Sequence, residues 1–138
     1  MPSRTKFIFI VLILFQYSNT KMNTIHAKSK YIMGFVSFPD LNAAKSIARI
    51  LVNERLVACA KVMNNIDSFY IYEDKFQEEK EVYMIIKTKS DKIDEIKNIL
   101  NKDHPYKVYE FLYHEVEVGN PKYMRWVDEM VDGIKYDI

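Results

Sequence analysis

The sequence contains little cysteine, glycine or proline. Among its 138 residues there are one cysteine, three glycines and four prolines. A single cysteine excludes an intrachain disulfide, so the fold must be stabilised by packing. Few glycines and prolines, with 49% hydrophobic and 14% aromatic residues, argue against disorder. The length fits one domain and little else.

Acidic residues are absent from the first thirty positions, and this makes the charge distribution uneven. Residues 1–30 carry five basic side chains, a charge of +5, and the remaining 15 basic and 19 acidic residues sum to −4. Phosphate contacts supply most of the affinity for nucleic acids, so an acidic globular part predicts no nucleic-acid partner. Gly34–Phe38 resembles part of an RNA-recognition signature, but that signature belongs on a third strand and this segment is predicted as the first.

The N-terminal segment has the pattern of a secretory signal peptide. Arg4 and Lys6 precede a nine-residue apolar run, Phe7–Phe15, which is too short for a comfortable membrane-spanning helix. Residues 1–20 are predicted to be a signal peptide-like leader into the secretory route, with no stable membrane span in the mature protein. An uncleaved anchor and a buried strand are the alternatives. Residues 21–30 form either a basic linker or a transit-like extension towards a plastid; without a functional leader the protein would be cytoplasmic.

Residues 31–138 are predicted to form one α+β domain. Apolar periodicity predicts the order strand, helix, strand, strand, helix, strand, followed by a terminal helix, which is the ferredoxin-like βαββαβ arrangement. Helices are expected from 40 to about 55, from 90 to about 103, and from 121 onwards. Strands are expected over 31–38, 56–62 and 108–118, with a long antiparallel hairpin whose arms are 66–73 and 76–88.

The predicted hairpin is apolar on both faces. Phe69 and Ile71 point one way, while Tyr70 and Tyr72 point the other, because side chains alternate along a strand. Neither face is suited to water. We expect one face to cover the helices and the other to meet another subunit.

No catalytic motif is present in the sequence. A P-loop, G-x-G-x-x-G, G-x-S-x-G and H-E-x-x-H are all missing, so the chain is predicted not to be an enzyme. The side chains with metal-binding chemistry are Cys59, His104 and His114. Cys59 is either a small buried hydrophobe or a ligand. His104, at a helix-to-strand junction, is either a cap for carbonyls or a solvated ligand, and His114 could form an imidazole–carboxylate site with Glu110 and Glu115.

Five segments, in order, resemble the CutA (divalent-cation tolerance) family across nearly the whole domain. They are 55–60 with its cysteine, the aromatic turn 68–75, the strand 81–88, the His-Pro-Tyr segment 104–110 and the closing segment 119–126. The chain departs from the family pattern at three positions. Tyr109 stands where the family usually has proline, Tyr72 where it has tryptophan, and Asp74 where glycine is common.

The resemblance implies a ferredoxin-like protomer in a homotrimer that binds copper(II) or another divalent cation. The ligands it implies are Cys59, His104 and Glu110, which offer soft, intermediate and hard donors. The other family-motif positions are Tyr70, Lys87, Tyr106 and Trp126. Two alternative functions stay open. They are a small-molecule sensor similar to the PII-type trimers and a trimeric structural or anchoring module.

Overall fold

The computed structural model describes residues 30–133. The predicted leader, residues 1–20, lies outside the described residues, as does the basic segment up to residue 29. In chain order, the elements are β1 (Tyr31–Phe38), α1 (Leu41–Asn53), β2 (Cys59–Tyr72), β3 (Lys75–Lys89), a 3₁₀ turn (Ser90–Lys92), α2 (Ile93–Asp103), β4 (Phe111–Glu115) and α3 (Pro121–Asp132).

The four strands form one antiparallel sheet in the order β2-β3-β1-β4. This order, with α1 and α2 as crossovers and α3 added at the end, confirms the predicted ferredoxin-like α+β fold. The central pair is β1 and β3, in a register that places Val36 opposite Met84 and Gly34 opposite Ile86. Residues directly opposite each other share a face of the sheet, so this register fixes which side chains meet the helices.

The hydrophobic core lies between α1, α2 and the face of the sheet that these helices cover. Alternate residues of β1 and β3 point to this covered face, and the helices contribute residues at helical spacing. The buried members are Val36, Phe38, Val82, Met84 and Ile86 from the strands and Ala44, Ile47, Leu51, Ile96 and Leu100 from the helices.

Two of the predicted helix starts are fixed by side-chain caps. The Oδ1 atom of Asp40 accepts hydrogen bonds from the backbone amides of Asn42 and Ala43, at 2.8 and 2.9 Å, as predicted for the start of α1. Asn120 caps α3 in the same way through the amide of Lys122, at 3.0 Å, with Pro121 in the first turn. Both helices are therefore anchored where the sequence pattern placed them.

The predicted break between a strand over 56–62 and a hairpin arm over 66–73 is wrong. β2 is one strand that begins at Cys59, and the hairpin is its continuation. The register shifts between Met63 and Ile66, and Asn65 has a φ of 60°, which is the geometry of a bulge that bends a strand without ending it. The segment 56–58 is a buried connection instead, held by a hydrogen bond from Thr88 to the carbonyl of Leu56.

The hairpin turns at Glu73 and Asp74, whose φ values are 49° and 58°. A two-residue loop with both residues left-handed matches the twist of the flanking strands. The expectation that one hairpin face covers the helices holds only for the inner part, where Val82 is buried. Phe69, Ile71 and Phe76 are 59%, 74% and 69% exposed, because the arms continue past the helices.

The second face of the sheet, opposite α1 and α2, is called the open face below. α3 packs over one end of it, with Val127 and Val131 against Ala58 and Tyr31. Lys89 donates a 2.6 Å hydrogen bond to Asp132 and secures the same end. β4 covers only 111–115 of the strand predicted over 108–118. In the described part of the chain, no helix is long and apolar enough to cross a membrane.

Candidate functional site

A cleft of about 520 Å³ lies between the hairpin and the connection that joins α2 to β4. The hairpin contributes side chains of one face, because Tyr70 and Tyr72 are two residues apart on β2. The connection, residues 104–110, supplies the opposite wall. The side chains that define the chemistry of the cleft are Tyr70, Tyr72 and Glu81 from the hairpin and Tyr106, Lys107 and Glu110 from the connection.

His104 holds this connection against the sheet. Its Nδ1 accepts a hydrogen bond from the backbone amide of Tyr106 at 3.0 Å, and its Nε2 lies 2.9 Å from the carbonyl oxygen of Ser37. A carbonyl oxygen only accepts hydrogen bonds, so Nε2 carries a proton. Nδ1 accepts from an amide and therefore carries none, which makes the ring neutral. The ring also stacks on Phe38, with centroids 4.7 Å apart. Both ring nitrogens are thus used within the fold.

The ring of His104 is partly buried, so it is neither enclosed in the core nor freely solvated. Burial lowers the pKa of His104, and the hydrogen bonds to Ser37 and Tyr106 oppose that shift. The alternative role as a cap for backbone groups describes the geometry better. The groups it satisfies are on β1 and in the connection rather than at the end of α2.

Carboxylates surround the tyrosines of the cleft. Tyr70 donates a 2.8 Å hydrogen bond to Glu79, and this bond raises the pKa of Tyr70 to about 12. Burial raises the pKa of Tyr106, and the charges of Glu81, Glu79 and Asp40 raise it further. These hydroxyls stay neutral at physiological pH, and the cleft has a negative electrostatic character.

Glu110 contacts the open face through a hydrogen bond with Tyr83. The hydroxyl of Tyr83 donates to Oε1 of Glu110 at 3.3 Å, across 27 residues of sequence. Burial raises the pKa of Tyr83, and the nearby charge of Glu110 adds to the shift. Sequence analysis identified Glu110, Tyr70 and Tyr106 but missed Glu81 and Lys107. The signal that could have found Glu81 is the hairpin register, which places it on the same face as Tyr70.

Cys59 lies elsewhere in the fold. It is the first residue of β2, half-buried, and its cross-strand partner is Lys87. Its neighbour on α3 is Tyr123, whose pKa is raised first by burial and then by Cys59. Lys87 and Tyr123 also line a smaller cavity of about 190 Å³ beneath α3. Trp126 packs against Tyr123 with ring centroids 5.4 Å apart.

The predicted metal ligands do not converge within one chain. Among residues 30–133, no group of three or more His, Cys, Asp or Glu side chains is placed to hold a metal ion. The imidazole–carboxylate site proposed for His114 with Glu110 and Glu115 is therefore wrong. His114 and Glu115 are consecutive residues of β4, so their side chains point to opposite faces of the sheet. Nδ1 of His114 instead donates to a backbone carbonyl at 2.9 Å.

These features define a class of protein: a ferredoxin-like α+β domain with a long hairpin, an open apolar face and a cleft alongside the hairpin. Within this class, residues 32–130 match the family model described as CutA1 divalent ion tolerance protein. The chain belongs to this family, as the resemblance of its five motifs predicted.

Relatives and solved structures agree with the family match. The Protein CutA homolog of Xenopus laevis is 37% identical over 110 residues, which cover 76% of this chain and 73% of that protein. The divalent-cation tolerance protein CutA of Pyrococcus horikoshii is 36% identical over 98 residues, covering 71% and 95%. The crystal structure of CutA from Xylella fastidiosa superimposes with a TM-score of 0.72 at 33% identity, covering 75% of this chain and 100% of that one.

The name of one plant relative states a chloroplast location. Protein CutA, chloroplastic, of Arabidopsis thaliana is 32% identical over 96 residues, covering 70% of this chain. The matched region spans about half, 53%, of the Arabidopsis protein.

Proposed function

We propose that this chain is a non-enzymatic homotrimer that binds or responds to divalent cations, copper(II) among them. The observation that carries the proposal is the match of residues 32–130 to the divalent ion tolerance family. The relative from Pyrococcus horikoshii is named a divalent-cation tolerance protein, and that name describes no enzymatic activity. The lack of catalytic motifs in the sequence is consistent with that reading.

The open face supports the assembly part of the proposal. Phe35 stacks between Tyr83 and His114 in a row across three strands, with centroid distances of 5.9 and 5.7 Å. Leu112 and Met63 are exposed on the same face. A contiguous apolar patch on a sheet is typical of a surface that another protein covers. A further copy of the chain is the partner we propose.

Light scattering on the purified full chain tests this assembly. We expect about three times the mass of the protomer at micromolar concentration. A monomer that persists at higher protein concentration would contradict both the interpretation of the open face and the trimer.

We also propose Cys59, His104 and Glu110 as ligands of the divalent cation, on the condition that the protomers of the trimer bring them together. Within one chain these residues do not fit a metal ion, because they are not grouped and both nitrogens of His104 are engaged. A site that joins them would have to form between protomers. His104 would then release its bond to Ser37 or to Tyr106.

Copper titration against a competing chelator tests this ligand set. The background should be the full chain with His26→Ala, since an N-terminal histidine can bind copper adventitiously. His104→Ala should lower Cu(II) affinity by about tenfold or more. His114→Ala, whose ring lies on the open face, is the histidine control, and light scattering must give the trimer mass for both variants. Binding should weaken as the pH falls below about 6.5, where imidazoles become protonated. Equal affinity with and without His104 would remove it from the site.

A second candidate function is a small-molecule sensor, and the cleft favours it. A concave site with aromatic walls and a few polar groups is typical of small-molecule binding. A sensor should show ligand-dependent stabilisation in a thermal-shift screen without added metal. A trimeric anchoring module would respond neither to metal nor to small molecules.

We also propose that residues 1–20 direct the chain into the secretory route and that residues 21–30 act as the transit-like segment that directs it onward to a plastid. The chloroplastic name of the Arabidopsis relative supports the second step. A fluorescent protein fused to residues 1–30 should enter the secretory route. Uniform cytosolic fluorescence would contradict the leader hypothesis.

A further inference from the structure

The walls of the cleft carry aromatic rings from two different elements. Tyr70 and Tyr72 come from the hairpin, and Tyr106 faces them from the connection between α2 and β4. A volume of about 520 Å³ accommodates a small organic molecule. The faces of aromatic rings carry partial negative charge, so they attract cations placed over them.

The charged groups of the cleft also favour a cation. Glu81 and Glu110 line it, against one basic residue, Lys107, which gives the lining a formal charge of −1. Lys107 is exposed, and its long stem lets the ammonium group stay in water. The charges of Glu79 and Asp40 also reach Tyr106. Aromatic rings next to carboxylates form the typical recognition site for a substituted ammonium ion.

A bare metal ion is a poorer match for this cleft. Metal sites need several ligands that converge on one point, and the described residues contain no group of three or more His, Cys, Asp or Glu side chains placed to hold an ion. Apolar ring faces cannot replace the hydration shell of a divalent cation. They can contact the alkyl groups of an organic cation directly.

We infer that the cleft formed by Tyr70, Tyr72, Tyr106, Glu81 and Glu110 binds an organic ammonium ion. The rings contact its alkyl groups, and the carboxylates balance its charge. This inference deepens the second candidate function, the sensor, and does not depend on metal binding.

The test compares two probes of equal shape and different charge. Choline and 3,3-dimethylbutan-1-ol differ in a quaternary nitrogen replaced by carbon, so only choline is cationic. Calorimetric or NMR titration of the full chain, with EDTA present, should show saturable binding of choline. The neutral alcohol should bind at least about tenfold more weakly, since cation–π contacts and the carboxylates act on charge alone.

Variants then assign the binding to the cleft. Tyr106→Leu and Glu81→Gln should each weaken choline binding by roughly three- to thirtyfold. The controls are Tyr113→Leu, an exposed tyrosine outside the cleft, and Glu78→Gln, on the opposite face of the same strand as Glu81. Both controls should bind choline as the wild type does. If Tyr106→Leu does not fold, as judged by circular dichroism and thermal melting, Tyr70→Leu on the exposed hairpin replaces it.

Three outcomes would overturn the inference. They are equal affinity for choline and its neutral analogue, no saturable binding of choline at tens of millimolar, and equal losses in the cleft and control variants. The sensor function has a separate readout. If choline does not bind while a neutral or anionic compound stabilises the chain in a thermal-shift screen, the sensor is supported and the ammonium ligand is excluded. Selective choline binding, together with a screen in which choline is the sole stabilising compound and acts only at millimolar concentration, would support the ammonium site and weaken the sensor.

Discussion

The two faces of the sheet are built from alternate residues of the same strands, yet they differ in how completely one chain covers them. On the covered face, Val36, Met84 and Ile86 are fully excluded from solvent by α1 and α2. On the open face, Phe35 and Ile85 are only half-buried, and Leu112 is 61% exposed. A strand that is apolar on both sides therefore indicates two buried surfaces, but only one of them has to be buried by the chain itself.

The largest expected effect is the loss of folding stability caused by a substitution on the covered face. Ile86→Ala leaves a cavity in the closed core, so we expect it to lower the free energy of unfolding by about 2–5 kcal/mol. Urea denaturation at fixed protein concentration measures this change. The control is Val52→Ala on the outer side of α1, where the side chain is 43% exposed and the expected change is about 0.5 kcal/mol or less. Similar losses in the two variants would show that the covered face is not a closed core.

Overpacking the covered face should have the next largest effect. A Cβ added at Gly34 would lie 2.9 Å from Cγ1 of Ile86 and 3.2 Å from Cε2 of Phe111. Gly34→Ala should therefore destabilise the chain by about 1–3 kcal/mol. Gly119→Ala is the matched control, because a Cβ there has nothing within 4 Å. A neutral Gly34→Ala, measured in the same denaturation experiment, would mean that the sheet relaxes around the new methyl group.

A charge on the open face should weaken assembly rather than folding. Leu112→Glu is tolerated by a single chain because the side chain is exposed, but a partner packed on this face would bury the carboxylate. We expect the dissociation constant of the trimer to rise by roughly tenfold or more. Sedimentation or light scattering over a dilution series measures it. Val52→Glu should leave assembly unchanged, and a Leu112→Glu trimer as stable as the wild type would place the interface elsewhere.

The smallest expected effect is the pH dependence contributed by His104, which joins the core to the cleft. Burial lowers its pKa in the folded chain below the ordinary value of 6.5, so the unfolded chain binds the proton more readily. The stabilisation from neutral His104 is complete above about pH 6.5 and is lost as the pH falls through the lowered value. Urea midpoints between about pH 7.5 and 5 should fall more steeply for the wild type than for His104→Gln. Parallel slopes would contradict this contribution.

The sequence was sufficient to predict the fold because its helix caps and its apolar patterns indicate the same elements. The caps at Asp40 and Asn120 and the alternation in β1 and β3 are all visible within a few residues. The predicted break in β2 falls at Asn64 and Asn65, a residue type common in turns, whereas here Asn65 adopts its left-handed conformation within a bulge.

The cleft was only partly predictable, because its walls are set by contacts between distant residues. His104 bonds to Ser37 across 67 residues, and Tyr83 bonds to Glu110 across 27. The motif positions Tyr70, Tyr106 and Glu110 meet there, whereas Cys59 and Lys87 lie at the end of the sheet that α3 covers, and Trp126 belongs to α3 itself. A list of motif residues does not show that they belong to two separate places.

The cleft has one wall on the hairpin and the other on a connection that His104 fastens to the core. A molecule that touches both walls favours the conformations in which the hairpin is held at one angle to the body of the domain. If the same hairpin contacts a neighbouring copy, occupancy of the cleft and association of the chains become thermodynamically linked. Each would then change the affinity of the other by the same factor. Under that condition, the face of the hairpin that carries Tyr70 and Tyr72 would couple the binding of a small solute to the strength of a protein assembly.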